Sequence, residues 1–329
     1  MGTKSIKMKV LVTGGGGFIG LALVHRLLES GYEVSTFSRK FYSEHSKKGV
    51  TTFQGNLLNP AEIEAACKDI NTVFHVAAKV GIWGKYADFY ENNVIGTQNV
   101  IDACKKHGVS KLIFTSSASV VFDGSALEGI NETINYPERP VSAYTATKAL
   151  AEQLVLKANS DKLKTVSLRP HLVWGPGDTQ LIPGILKRAK KGKLRRIGNK
   201  NCFVDTTFID NLIDAQLLSI SALDENPDCR GKAFFITNGE PVEVWDFINS
   251  ILKTAGIEPV QKSISKNLAL FVAWLHEKIH QLFHLKSEPY ITRFAINELT
   301  THHWFSILSA KNMLGYSPKI SFEEGLKRL

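Results

Sequence analysis

The stretch Lys9-Val10-Leu11-Val12-Thr13-Gly14-Gly15-Gly16-Gly17-Phe18-Ile19-Gly20 decides how the chain is read. An apolar, β-branched run stops at a glycine cluster. A helix-period segment follows, with Ile19, Leu23 and Leu27 on one stripe and Val24 and Leu28 beside it. Strand, glycine turn and helix N-terminus in that order build a site for the phosphates of a dinucleotide. Glycines admit a close approach of the backbone, and the unpaired N–H groups of the first helical turn face the charge. Gly14, Gly17, Phe18, Ile19 and Gly20 are therefore expected to hold those phosphates. A glycine-rich turn can also be a plain tight loop, but its place directly after a strand argues against that.

Working outward, Ser30-Gly31 ends the first helix, and Tyr32 to Ser38 reads as a second strand. An acidic residue at the end of that strand would bind the adenosine ribose and favour NAD. The chain has Ser38-Arg39-Lys40 instead, so nothing repels a 2′-phosphate and Arg39 can pair with it. NADP(H) is expected, with NAD(H) as the alternative.

Strands follow at Thr51 to Gly55, Thr72 to Ala77, Lys111 to Thr115 and Thr165 to Leu168. A long helix reaches Lys106 through Asn92, and another runs from Ser142 to Asn159. Small residues in Ala77-Ala78-Lys79 leave room for a cofactor across the strand edge. Alternating strands and helices predict an α/β fold with a doubly wound parallel sheet. Beyond 178 the alternation loosens. Helices are expected at Leu181 to Lys191, Asp210 to Leu223 and Val242 to Ala255, and Lys232 to Thr237 reads as a strand returning to the main sheet. The division predicted is a dinucleotide-binding domain over 1–178 and a smaller, mostly helical substrate lobe over 179–329, interleaved through 203–238.

A chain of 329 residues with 43% hydrophobic content has ample material for a core. No apolar leader precedes the first strand, no stretch reaches the ~20 apolar residues that span a bilayer, and the four cysteines lack ligand spacing. A cytoplasmic protein with reduced thiols is expected. The formal net charge of +9 is partly concentrated in Lys187-Arg188-Ala189-Lys190-Lys191-Gly192-Lys193-Leu194-Arg195-Arg196. Without interleaved aromatics this run does not suggest nucleic acid. It reads as a solvated face, or as an attraction for an anionic acyl carrier or a membrane surface.

Chemistry enters at Tyr144-Thr145-Ala146-Thr147-Lys148. Spacing of i,i+4 puts phenol and ammonium on one helix face. A phenol near its ordinary pKa is a poor proton shuttle at neutral pH, and a neighbouring lysine charge is expected to lower that pKa. Lys148 can also hold ribose hydroxyls. A third group should polarise the substrate oxygen, and Ser117, after the Lys111 to Thr115 strand, is chosen over Ser116 and Ser119.

Together, Thr13-Gly14-x-x-Gly17-x-x-Gly20, Ser116-Ser117 and Tyr144-x-x-x-Lys148 resemble the extended short-chain dehydrogenase/reductases of the epimerase/dehydratase superfamily, over essentially the whole length. The resemblance implies a Rossmann domain, hydride transfer at a nicotinamide and Ser117, Tyr144 and Lys148 as catalytic positions. It also implies adenine contact at Asn56-Leu57, where relatives usually carry Asp-Leu or Asp-Val, and nicotinamide contact at Pro170 and Val173. Val80-Gly81-Ile82-Trp83-Gly84, Asn93-Val94-Ile95-Gly96-Thr97, Asn238-Gly239-Glu240-Pro241, Thr301-His302-His303-Trp304-Phe305-Ser306 and Leu314-Gly315-Tyr316-Ser317-Pro318 are similar to the 3β-hydroxysteroid dehydrogenase branch. That branch implies a lipid-like substrate; Val80, Trp83 after the fourth strand, and His171 are expected to face it, and a homodimer is expected. His302 and His303 lack an acidic or cysteine partner at ligand spacing, so packing is expected and no metal.

Residues 268–285 (LALFVAWLHEKIHQLFHL) form the most apolar part of the second lobe. Leu268, Val272, Leu275 and Ile279 share a stripe that Phe271, Trp274, Leu282 and Phe283 widen, which predicts a core helix, an acyl-pocket wall or a membrane contact. Together with this apolar stretch, the resemblance implies NADPH-dependent reduction of a lipid-like β-keto acid, a 2-alkyl-3-oxoalkanoate, as the expected function. An NAD-linked 3β-hydroxysteroid or sterol-carboxylate dehydrogenase, and a sugar-nucleotide epimerase or dehydratase, stand as rivals. A non-catalytic cofactor sensor is disfavoured, because such proteins usually lose the Tyr or the Lys.

Overall fold

The computed structural model describes residues 8–283, 285 and 287–329, so His284 of the apolar stretch lies outside the described residues. Seven parallel strands form the main sheet: β1 (Lys9–Thr13), β2 (Glu33–Ser38), β3 (Thr51–Gln54), β4 (Thr72–His75), β5 (Lys111–Thr115), β6 (Lys164–Pro170) and β7 (Lys232–Ile236). Their spatial order is β7-β6-β5-β4-β1-β2-β3. The order reverses between β1 and β4, and a ligand crevice opens at the C-terminal strand ends beside such a switch.

Period-two alternation sorts the strands' side chains onto two faces. Val10 and Val12 of β1, Phe74 of β4 and Ile113 of β5 join a cluster with Leu23, Val24 and Leu27 of the first helix (Phe18–Glu29) and Leu212 of a later one (Ile209–Glu225). Leu11, Val73, Leu112 and Phe114 point the other way, onto Ile63, Val100, Ile101 and Val155. Both faces are covered, which is why β1 reads as a continuous apolar run.

β7 pairs in parallel with β6, from Lys232 opposite Val166 to Ile236 opposite Pro170. The chain thus returns to the main sheet after 203. A second, four-stranded sheet joins Val242–Glu243, Phe203–Val204, His303–Phe305 and Leu127–Ile130. Such short strands, paired across as much as 176 positions from His303 to Leu127, leave no local periodicity and escape a sequence reading. Helical residues upstream of Gly96–Lys106 begin at Tyr86 and pass through a π-helical stretch, Tyr90–Ile95.

The expectation for 268–285 is corrected in one respect. The Lys266–Leu282 helix turns Ala269, Ala273 and Glu277 inward, whereas Leu268, Phe271, Trp274, Leu275, Ile279 and Leu282 are exposed. It is not a core helix on its apolar side. Small residues on the opposite stripe allow close packing, and Glu277 is satisfied there by Arg293, whose Nε lies at 2.7 Å and whose backbone N–H donates at 2.8 Å.

Candidate active site

The glycine turn closes tightly. Gly14 takes φ +72°, and a Cβ there would lie 2.9 Å from the Ala77 Cα; one on Gly20 would lie 2.2 Å from the Gly14 carbonyl. Gly17 is the N-cap of the first helix and offers no side chain to its N–H groups, nor does the first turn carry an acid. The uncapped donors suit an anion.

A hydrogen-bond chain unseen in the sequence fastens this turn to β4. The Ala77 N–H donates to Thr13 Oγ1 at 3.2 Å, Thr13 meets His75 Nδ1 at 2.7 Å, and His75 Nε2 meets Thr97 Oγ1 at 2.9 Å. Thr97 in turn donates to the Asn93 carbonyl at 2.5 Å. Burial holds the His75 pKa down at about 3, so the ring stays neutral and serves as a relay of hydrogen bonds. Asn93 also grips the Lys79 backbone, accepting its N–H at 2.7 Å and donating to its carbonyl at 3.1 Å, and reaches Thr147 of the Ala143–Lys157 helix at 3.1 Å.

Around the turn lies a groove of about 710 Å³. It is lined by Gly14, Gly17, Phe18, Ile19 and Gly20; by Ser38 and Arg39 at the end of β2; by Asn56 and Leu57 after β3; and by Ala77, Ala78, Lys79 and Val80 after β4. Ser117, Tyr144, Pro170 and Val173 complete the far end. Asn56 Oδ1 is engaged by the Leu58 N–H at 3.1 Å, which leaves its NH2 as the donor available to a base. Tyr42, Asn92, Asp178, Gln180 and Leu181 also line the groove and carry no motif that would have singled them out. Asp178 caps the Leu181–Lys190 helix, accepting from the Gln180 and Ile182 N–H groups at 2.7 Å each.

Three sequence candidates fall elsewhere. Lys148 is buried behind Tyr144, donating to the Thr115 carbonyl at 2.7 Å with its ammonium 4.0 Å from the Phe114 ring centroid. Trp83 lies outside the groove lining, edge-on to His280 at 6.1 Å. His171 is buried, with Nε2 3.0 Å from His303 Nδ1, while His303 Nε2 donates to the Glu298 carbonyl at 2.7 Å. His171 lies outside the lining between the groove-lining Pro170 and Leu172, and Leu172 takes φ +43°. Thr207 holds that strained corner, accepting the His171 N–H at 3.1 Å.

The tertiary structure also gives His303 an acidic neighbour that spacing did not reveal, since a Glu298 carboxylate oxygen comes within 3.8 Å. Donor atoms of His171, Glu298 and His303 lie within 4.8 Å of one another. Both His303 ring nitrogens are nevertheless committed to hydrogen bonds. His302 accepts the Phe203 N–H at 3.2 Å and stacks on its ring.

Of the three neighbouring serines, Ser117 is half-buried, whereas Ser116 and Ser119 are buried. Ser117 Oγ lies 2.8 Å from Ser119 Oγ and accepts the Ser119 N–H at 3.2 Å, which fixes its rotamer. Protein packed around the half-buried Tyr144 pushes its phenol up to about 12, against a smaller downward pull from Ser117. The net shift is upward, against the expectation of a lowered phenol. The lysine is itself pushed down to about 7 by burial, with Glu152 acting weakly the other way. Its ammonium donates to the Thr115 carbonyl and forms no hydrogen bond with the phenol.

The groove fits a nicotinamide dinucleotide. Glycines admit phosphates at one end, small residues admit a flat ring along β4, and two hydroxyls meet the other end. Residues 11–267 match the 3-beta hydroxysteroid dehydrogenase/isomerase family. A 2-alkyl-3-oxoalkanoate reductase of Stenotrophomonas maltophilia (strain K279a) is 44% identical over 324 residues, covering 98% of each chain. A decarboxylating sterol-4-alpha-carboxylate 3-dehydrogenase of Mus musculus is 36% identical, covering 97% of this chain and 89% of its own. Among solved structures, MoeE5 in complex with UDP-glucose and NAD superposes with a TM-score of 0.74 at 26% identity, covering 97% of this chain and 96% of its own. The Rossmann sheet, the groove and these likenesses agree: the chain belongs to the 3-beta hydroxysteroid dehydrogenase/isomerase family and is an NAD(P)-dependent oxidoreductase.

Proposed function

We propose that the chain reduces the ketone of a 2-alkyl-3-oxoalkanoate to the 3-hydroxy acid, with NADPH as the preferred cofactor. The observation that carries this reading is the pair of hydroxyls, Ser117 and Tyr144, at the end of a groove whose rim is apolar at Val80. Two relatives bearing the reductase name, at 44% and 42% identity, supply the substrate class.

When bound, a reduced nicotinamide supplies the hydride. Ser117 hydrogen-bonds the ketone oxygen as charge develops on it. Tyr144, protonated far above neutral pH, is the general acid that completes the alcohol. Lys148, one helical turn away, offsets the charge left on the phenolate. Arg39 is exposed beside the groove, forms no ion pair among the described residues, and replaces the acid that would repel a 2′-phosphate.

The test is steady-state kinetics on 2-alkyl-3-oxo acids of graded chain length, run with both cofactors and repeated on Arg39→Ala. Each added methylene is worth up to ~0.8 kcal/mol until the site is full, so kcat/KM should climb with chain length. NADPH should bind ~10- to 100-fold tighter than NADH, and Arg39→Ala should remove most of that gap. Equal affinity for the two cofactors in the unmodified protein would overturn the cofactor assignment. The second reading, a sterol-carboxylate dehydrogenase, rests on the 36% identity to the mouse enzyme. It would prevail if 3β-hydroxysteroids with NAD⁺ proved much the better substrates.

A further inference from the structure

We propose that Lys79 recognises the carboxylate of the substrate and so selects a 3-oxo acid over an uncharged ketone. The inference rests on the proposed reduction of a 2-alkyl-3-oxoalkanoate and names the residue that reads its charge. In such a molecule a single carbon separates the carboxylate from the ketone. A cation that meets the carboxylate must therefore stand close to Ser117 and Tyr144, which take the ketone oxygen in that reaction.

Among the described residues, the charged side chains that line the groove are Arg39, Lys40, Lys79 and Asp178. Arg39 and Lys40 follow β2, which β1 and β4 separate from β5, the strand that leads to Ser117. At ~4.8 Å per strand that is roughly 14 Å across the sheet. Asp178 has the wrong sign, and its two oxygens are taken by the Gln180, Leu181 and Ile182 N–H groups. Lys79 follows β4, the strand next to β5, and His75 at the end of β4 stands opposite Phe114. The chain thus leaves neighbouring strands at nearly the same level toward Lys79 and toward Ser117.

The backbone of Lys79 is fixed while its ammonium keeps donors to spare. Asn93 accepts its N–H at 2.7 Å, donates to its carbonyl at 3.1 Å and donates to Thr147 Oγ1 at 3.1 Å, on the helix that carries Tyr144. Lys79 is thereby fastened to the same element as the proposed acid. Among the described residues its one ion pair is with Asp88, at 3.4 Å, and Nζ lies 5.3 Å from the Phe89 ring centroid. Half of the Asp88 side chain is in solvent, so the pair is weak, and a substrate carboxylate can compete for an ammonium that offers three donors. The next residue, Val80, is apolar, 50% exposed and also lines the groove. A cation followed by an apolar side chain matches a carbon that bears both a carboxylate and an alkyl chain.

The experiment compares a 2-alkyl-3-oxo acid with its methyl ester, which keeps the ketone and both alkyl chains and removes the charge. In the unmodified protein kcat/KM for the acid should exceed that for the ester by ~10- to 100-fold, the worth of a charge-assisted contact. In Lys79→Gln that ratio should fall to about one, chiefly through the KM of the acid, and Lys79→Arg should restore much of it. Asp88→Asn, which frees the ammonium, should lower the KM of the acid by about two- to fivefold. Fluorescence titration with NADPH accompanies each variant. A ratio near one in the unmodified protein, or a ratio that Lys79→Gln leaves intact, would overturn the proposal. So would an NADPH Kd raised in Lys79→Gln as much as the KM of the acid, since the lysine would then serve the cofactor. Reduction of neither acid nor ester by the unmodified protein would instead overturn the reaction on which the inference rests, and the inference with it.

Discussion

At the residue scale, the proposed reaction divides its work between Tyr144 and Lys148 in an order that spacing alone does not reveal. The phenol, pushed up to about 12, stays protonated across the working range and is set to give its proton away. The lysine, pushed down to about 7, is the group that titrates near neutrality. Its charged form exists below that value, and only the charged form stabilises the phenolate left after proton donation. The reductive kcat/KM is therefore expected to hold below about pH 7 and to fall above it by up to ~10-fold per pH unit. Tyr144→Phe should keep cofactor binding and lower turnover by roughly 10²–10⁴. A profile level to pH 9, or a Tyr144→Phe variant retaining more than about a tenth of the activity, would move the acid or its support to another residue.

Elements are held in place by buried polar contacts as much as by apolar packing. Glu152, one turn beyond Lys148 on the Ala143–Lys157 helix, accepts from Arg169 Nη2 of β6 at 2.7 Å, from Ser167 Oγ at 2.6 Å and from Tyr136 Oη at 2.7 Å. Burial would raise its carboxyl, but the Arg169 charge and these donors hold it below the usual range. Both partners are almost wholly buried, so removing one strands the other. Glu152→Ala should lower the unfolding free energy by ~3–5 kcal/mol in urea titration, and adding Arg169→Met should restore part of it. A loss below about 1 kcal/mol would mean that the quartet does not anchor the catalytic helix to the sheet.

On the scale of the whole molecule, the division into 1–178 and 179–329 has no matching break in the core. A single apolar cluster runs from Val10 of β1 through Leu212 and Trp245 to Tyr316. Tyr316 itself donates to the Thr237 carbonyl at 2.8 Å, tying the C-terminal segment to the end of β7. The two parts are therefore expected to unfold in one cooperative step, with far-ultraviolet and near-ultraviolet circular dichroism giving coincident urea midpoints. Two separated midpoints would show that the substrate lobe folds on a core of its own. No helix among the described residues is long and apolar enough to cross a membrane.

The sequence by itself determined what local patterns encode: the glycine turn, the parallel strands with their intervening helices, and the nearness of Ser117 and Tyr144 at the groove. Glycine spacing, period-two burial and an i,i+4 pair are short-range constraints, so they survive as readable strings. Tertiary structure alone decided the rest. His171 fell outside the groove lining, Asn93 joined Lys79 to Thr147, and Glu298 came to stand beside His303. It also decided the apolar stripe from Leu268 to Leu282, whose periodicity is the same whether it faces a core or the outside. Only the position of Ala269, Ala273 and Glu277 against the protein shows which side was left uncovered.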